Sequence, residues 1–104
     1  MRKPTQLDPK DDHENDLLTF DFSTKTLPGE TIVGIPSFEC EAVTGTDPLA
    51  INLLSGPSQI TGNQVIQRII GGVIGVTYRI HCIAVFTPTN RVLTLTGLLP
   101  VGKL

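Results

Sequence analysis

The sequence predicts an all-β fold, an antiparallel sandwich of about seven strands that follows an extended N-terminal arm. Three observations carry this expectation. Short apolar or alternating runs recur at strand length, Gly, Pro, Asn and Asp punctuate them, and no long segment keeps a helical period. With 104 residues, 39% of them hydrophobic, the chain has material for one core and not for two. The aliphatic supply after residue 27 is dense enough to exclude disorder of the whole chain.

The arm comes first. Residues 1–42 carry four Lys or Arg against nine Asp or Glu, whereas residues 43–104 carry four against one. Most of the acid lies in 8–16, DPKDDHEND, which has no period and almost no apolar content. Residues 1–16 are therefore expected to form an arm without its own core, separate from a sandwich domain at 17–104. At full extension such an arm spans at most ~55 Å, enough to lie across a neighbouring subunit. Its candidate contact residues are Lys3, Leu7, Asp8, Asp12 and Asp16.

Seven strands are expected beyond it: 17–22 (LLTFDF), 31–43 (broken at Pro36), 49–54, 58–61 (SQIT), 64–70 (QVIQRII), 76–86 (VTYRIHCIAVF) and 91–99 (RVLTLTGLL). Turns fall at LPGE, GTDP, SGPS, GN, GGVIG and TPTN, whose residues suit special backbone angles. In GGVIG, a tight hairpin connection is expected, with Gly71, Gly72 or Gly75 at positive φ. No GxGxxG or Lys-Ser/Thr pair accompanies them, so a phosphate cradle is not supported.

Alternation assigns the faces. Val76, Tyr78, Ile80, Cys82, Ala84 and Phe86 share one side of 76–86, with Thr77, Arg79 and His81 opposite. In 31–43, Ile32, Phe38, Cys40 and Ala42 share one side and Glu39 and Glu41 take the other. Ile83, Val85, Leu93 and Leu95 fall off the inward register and leave an aliphatic surface if one face stays open; a register one residue different turns them inward. Both cysteines point inward, on the second and sixth expected strands, the positions that oppose each other in an immunoglobulin-like sandwich. Tyr78 opens the sixth strand like a tyrosine corner, although it precedes Cys82 by four residues instead of two. A Cys40–Cys82 bond would close a loop of about 41 residues and contribute ~4 kcal/mol in the chain-entropy account. A reducing cytosol favours two buried free thiols instead.

Composition narrows function more by exclusion than by assignment. A net charge of −2 with no basic stripe does not neutralise phosphates, which argues against nucleic acid as a partner. No apolar h-region and no stretch near the ~18 residues of a membrane span appear, so a soluble product made in the cytosol is expected. Of the two histidines, His13 lies in the acidic arm and His81 on a polar strand face; no nucleophile motif or zinc spacing accompanies them. Asp8, Asp11, Asp12, Glu14 and Asp16 attract cations but lack the spacing of an EF-hand loop. No catalytic residue, metal or cofactor is therefore expected. A binding or structural module is.

LTFDFS, LPGETI, the run GTDPLAINLLSGPSQITGNQVIQRIIGGVIGVTYRIHC and RVLTLTGLLPV together resemble a family of small tailed-bacteriophage virion proteins, the fiber-tail adaptor or head-tail junction accessory proteins. The resemblance spans roughly residues 17–101 and is most telling in GETI, QVIQRIIGGVIGVTYR and the terminal LPV. The chain departs from the family in having STKTL where a Trp follows the first strand, and TPTN where related chains turn through Gly. The resemblance implies a non-catalytic immunoglobulin-like sandwich in the virion. It also implies several copies, in a homo-oligomeric ring around the portal, connector or tail, joining fibres or neighbouring subunits. A solitary adhesion or carbohydrate-binding module is the alternative, and it would need exposed aromatics.

Overall fold

A computed structural model describes residues 5–103. The described chain forms β1 (Thr5–Gln6), β2 (Lys10–Asp11), β3 (Asp16–Asp21), β4 (Thr31–Thr44), a 3-10 turn (Ala50–Leu53), β5 (Leu54–Thr61), β6 (Gln64–Ile69), β7 (Thr77–Thr87) and β8 (Val92–Gly102). One sheet has the order β3-β6-β5; the other has the order β1-β8-β7-β4, with β2 also on β8. Phe20 of β3 meets Phe38 of β4 edge to face at 5.9 Å, and Phe22 meets Phe86 of β7 at 5.5 Å, so the two sheets close on one core. The fold is an all-β sandwich.

The strands of the larger sheet follow the period-2 rule closely. Val76, Tyr78, Ile80, Cys82, Ala84 and Phe86 are all buried. On β8 the inward set is Leu93, Leu95, Gly97, Leu99 and Val101, all buried or packed against the core. On β4, Ile32, Phe38, Cys40 and Ala42 lie against the core, while Glu39 and Glu41 are exposed.

Several expectations are corrected. Residues 5–16 do not stand apart from the domain. β1 and β2 run parallel to β8, pairing Thr5 with Gly97 and Lys10 with Val101, and the Leu7 N–H donates to the Leu98 carbonyl at 2.8 Å. Leu7 fills the space that Gly97 leaves, where a Cβ would come within 2.7 Å of its Cδ1. Lys10 is 3% exposed, with its ammonium donating to the carbonyls of Asp11 (2.8 Å) and Gly71 (2.6 Å). Main-chain pairing with a strand some 90 residues away leaves no mark on local composition, so an acidic segment became a strap. Lys3 lies outside the described residues.

Of the expected strand 49–54, only Leu54 is in a strand. Asp47 Oδ1 accepts the Leu49 N–H at 3.0 Å and starts a 3-10 turn, in which Ala50 and Leu53, three apart, face the core together. β5 starts at Leu54, earlier than expected, because a register shift between Ser55 and Gln59 absorbs Gly56 and Pro57. Buried Gln67 staples that irregularity, its amide donating to the carbonyls of Ser55 and Gly56. Pro36 likewise shifts register within β4, between Val33 and Ser37, without ending the strand. Gly71, Gly72 and Gly75 have φ of 60°, 100° and 86°, but their loop is no hairpin: it carries the chain from β6 in one sheet to β7 in the other.

The cysteines do not oppose each other across the sandwich. β4 and β7 are neighbours in one sheet, where Cys40 pairs with Ile80 and Cys82 with Phe38. Alternation assigns a strand its faces but not its sheet, and the chain changes sheets between β3 and β4. Both thiols are free, and burial foremost pushes each up to about 12, so neither is a thiolate nucleophile.

Candidate interaction face

The strap, the corner around Tyr78 and the outer face of the larger sheet account for the side chains singled out by sequence. In the strap, Leu7 and Lys10 face inward, whereas Asp8 and Asp16 are exposed. The carboxylates of this segment mostly cap its turns: Glu14 Oε1 accepts the Asp11 N–H (2.8 Å), Asp11 Oδ1 the His13 N–H (2.9 Å) and Asp16 Oδ1 the Leu17 N–H (2.8 Å). Asp11, Asp12 and His13 bring one ligand atom each within 4.8 Å of one another, on a turn where the His13 side chain is exposed. Asp8, Glu14 and Asp16 do not join that group.

Tyr78 is fully buried. Its hydroxyl accepts the Val73 N–H at 2.9 Å and donates to Asp47 Oδ2 at 2.6 Å, tying the start of β7 to the GGVIG loop and the loop after β4. Burial and then the Asp47 bond push its phenol up to about 12. Beside Asp47 opens a cleft of about 510 Å³, lined by Cys40, Ala42, Gly45, Ala50 and Ile51 among others. Sequence reading missed Asp47. Its mark was the Asp-Pro pair, read only as a turn.

At the opposite end, a carboxylate that sequence reading also missed closes the core. Glu30 is buried, accepting Arg91 Nη2 (2.7 Å) and Nε (2.9 Å), the Thr89 hydroxyl and the Leu27 N–H (2.7 Å). The Arg91 hydrogen bonds, helped by Thr89 and the Leu27 N–H, hold its carboxyl down at about 2.

The outer face of β4, β7 and β8 is divided along its length. One half is polar: Arg79 Nη1 lies 3.0 Å from Glu41 Oε1, and His81 Nδ1 lies 2.7 Å from Thr96 Oγ1. His81 Nε2 is 3.8 Å from Glu41, beyond hydrogen-bond reach, so Thr96, His81 and Glu41 make no proton relay. The other half is aliphatic. Val33, Val85 and Val92 are register partners on three adjacent strands and are 47%, 41% and 60% exposed. Ile35, on the β4 bulge, is 92% exposed. No ionisable side chain stands at the levels of these valines on the three strands. Of the four off-register residues picked from sequence, Ile83 and Val85 do face outward, whereas Leu93 and Leu95 turn inward.

An aliphatic ladder with an exposed Ile beside it offers apolar surface with no ionisable group to strip of water and a protruding side chain, features that suit a protein contact. No helix among the described residues is long and apolar enough to cross a membrane. Compared with known proteins, the chain matches no family model, no curated protein and no solved structure.

Proposed function

We propose that this chain is an immunoglobulin-like, non-enzymatic module of a tailed-phage virion, an adaptor that joins the portal, connector or tail region to fibres or neighbouring subunits. The observation that carries the binding role is the aliphatic half of the outer face, Val33, Ile35, Val85 and Val92, exposed on a sandwich whose core closes without them. The immunoglobulin-like reading is supported by the sheet orders β3-β6-β5 and β1-β8-β7-β4, with the first strand parallel to the last, and by the Tyr78 hydroxyl bonded to backbone five residues upstream. The virion setting follows from the sequence resemblance. A carbohydrate-binding module fits less well, since Phe20, Phe22, Tyr78 and Phe86 are buried and Phe38 packs against the core, leaving no aromatic platform.

Quantitative mass spectrometry of particles purified from cells making this chain tests the reading. A fixed ratio to the major capsid protein that survives high-salt washing is expected. Absence from particles, with the chain abundant in the supernatant, contradicts it.

A further inference from the structure

The outer columns of β4 and β7 match each other. Val33 lies level with Val85, Glu39 with His81 and Glu41 with Arg79. Along the sheet, the β4 column runs from aliphatic to acidic and the β7 column from aliphatic to basic or imidazole. A two-fold axis parallel to the strands, standing over the gap between β4 and β7, keeps every residue at its level and exchanges the columns. Resting on the reading that this face binds protein, we propose that its occupant is a second copy of this chain, packed face to face about that axis. Val33 then meets the second copy's Val85, Glu39 its His81 and Glu41 its Arg79.

Charge and area select this arrangement. An axis directly over β7 would set Arg79 against its own counterpart, a like-charge contact that interfaces avoid. An axis across the strands, centred on the valines, would superpose only the aliphatic halves. Over the gap, Glu41 keeps its own Arg79 at 3.0 Å and gains a second across the contact, so the four groups alternate in sign. Glu39 has no partner within its own chain among the described residues, and this pairing supplies one. The aliphatic half alone offers a few hundred Å² at most. The two strands that overlap, β4 and β7, ~4.8 Å apart over the length of β7, present a footprint of roughly 350 Å². That is still short of the ~800 Å² per partner of a standard stable complex, which makes the pair weak and concentration-dependent. The bulge after Val33 lifts Ile35 to the level of the second copy's Ile83 and Val85 as the knob of the contact.

Sedimentation velocity of the full chain from about 1 µM to about 1 mM tests this. A monomer–dimer equilibrium is expected, weakened about tenfold or more by Ile35→Lys and by Glu41→Arg, both at exposed positions that leave the fold intact. Glu41→Arg combined with Arg79→Glu in one chain exchanges the columns and is expected to restore association. A monomer at every concentration, a dimer indifferent to these substitutions, or failure of the double variant to recover overturns the proposal. The two readings fail separately. A monomeric chain that Ile35→Lys removes from particles keeps the binding face and loses the self-pairing, whereas a dimer absent from particles does the reverse.

Discussion

The two faces of β7 draw on similar residues to different ends. Inward, Tyr78, Ile80, Cys82, Ala84 and Phe86 are each no more than 1% exposed. Outward, Thr77, Arg79, His81, Ile83 and Val85 pass from polar to aliphatic, and Val85 stays 41% exposed beside Phe86, which is fully buried. Closing the core accounts for the first set. It does not account for the second, because a solvated sheet face needs no ladder of exposed valines across three strands. The fold and the proposed contact therefore lie on opposite sides of one strand and should be separable by mutation.

The largest effect is expected on the inner face. Phe86→Ala removes the ring packed on Phe22 and leaves a cavity, lowering stability by about 3–5 kcal/mol in urea unfolding. The strap comes next: Leu7→Ala empties the space against Gly97 and is expected to cost about 2 kcal/mol. An unchanged midpoint would return the strap to the status of a loose arm.

Acid attacks the same closed core from its far end. The Glu30 carboxyl titrates at about 2 in the folded chain, below its ordinary 4.5, so between those values the unfolded chain binds more protons. The stability it lends is complete above about pH 5 and is lost as pH falls toward 2. Melting temperature should drop across that window, and the drop should be shallower in Glu30→Gln, which starts lower because Arg91 loses its partner. Tyr78→Phe strips the hydroxyl from Val73 and Asp47 and is expected to cost about 1 kcal/mol, within reach of a denaturant midpoint comparison.

The smallest stability effect is expected on the outer face. Val85→Thr should shift unfolding by no more than about 0.5 kcal/mol, yet it should weaken association. A loss like that of Phe86→Ala would mean that the outer valines belong to the fold after all.

What the sequence made legible follows from how local each signal is. The faces of β7 could be read because eleven residues alternate without interruption, and Glu39 and Glu41 announced the outer side of β4 in the same way. The 3-10 turn at Ala50–Leu53 was hidden because its inward residues are three apart within an almost wholly apolar run. The strap, the sheet partner of β4 and the Glu30–Arg91 pair depend on residues 30 to 90 positions away, where neither period nor composition reaches. Of the candidate face, Val85 and its neighbour Ile83 were visible as off-register aliphatics; Val33 and Val92 became part of it only when register set them level with Val85, and Ile35 only through the β4 bulge.

The most direct test of the two-sided account is a backbone amide NMR dilution series on the full-length chain. Shifts that move with concentration at Val33, Ile35, Glu41, Arg79 and Val85, with β3, β5 and β6 unmoved, are the predicted result. Shifts that move on the β3-β6-β5 sheet, or none that move up to millimolar concentration, would contradict it.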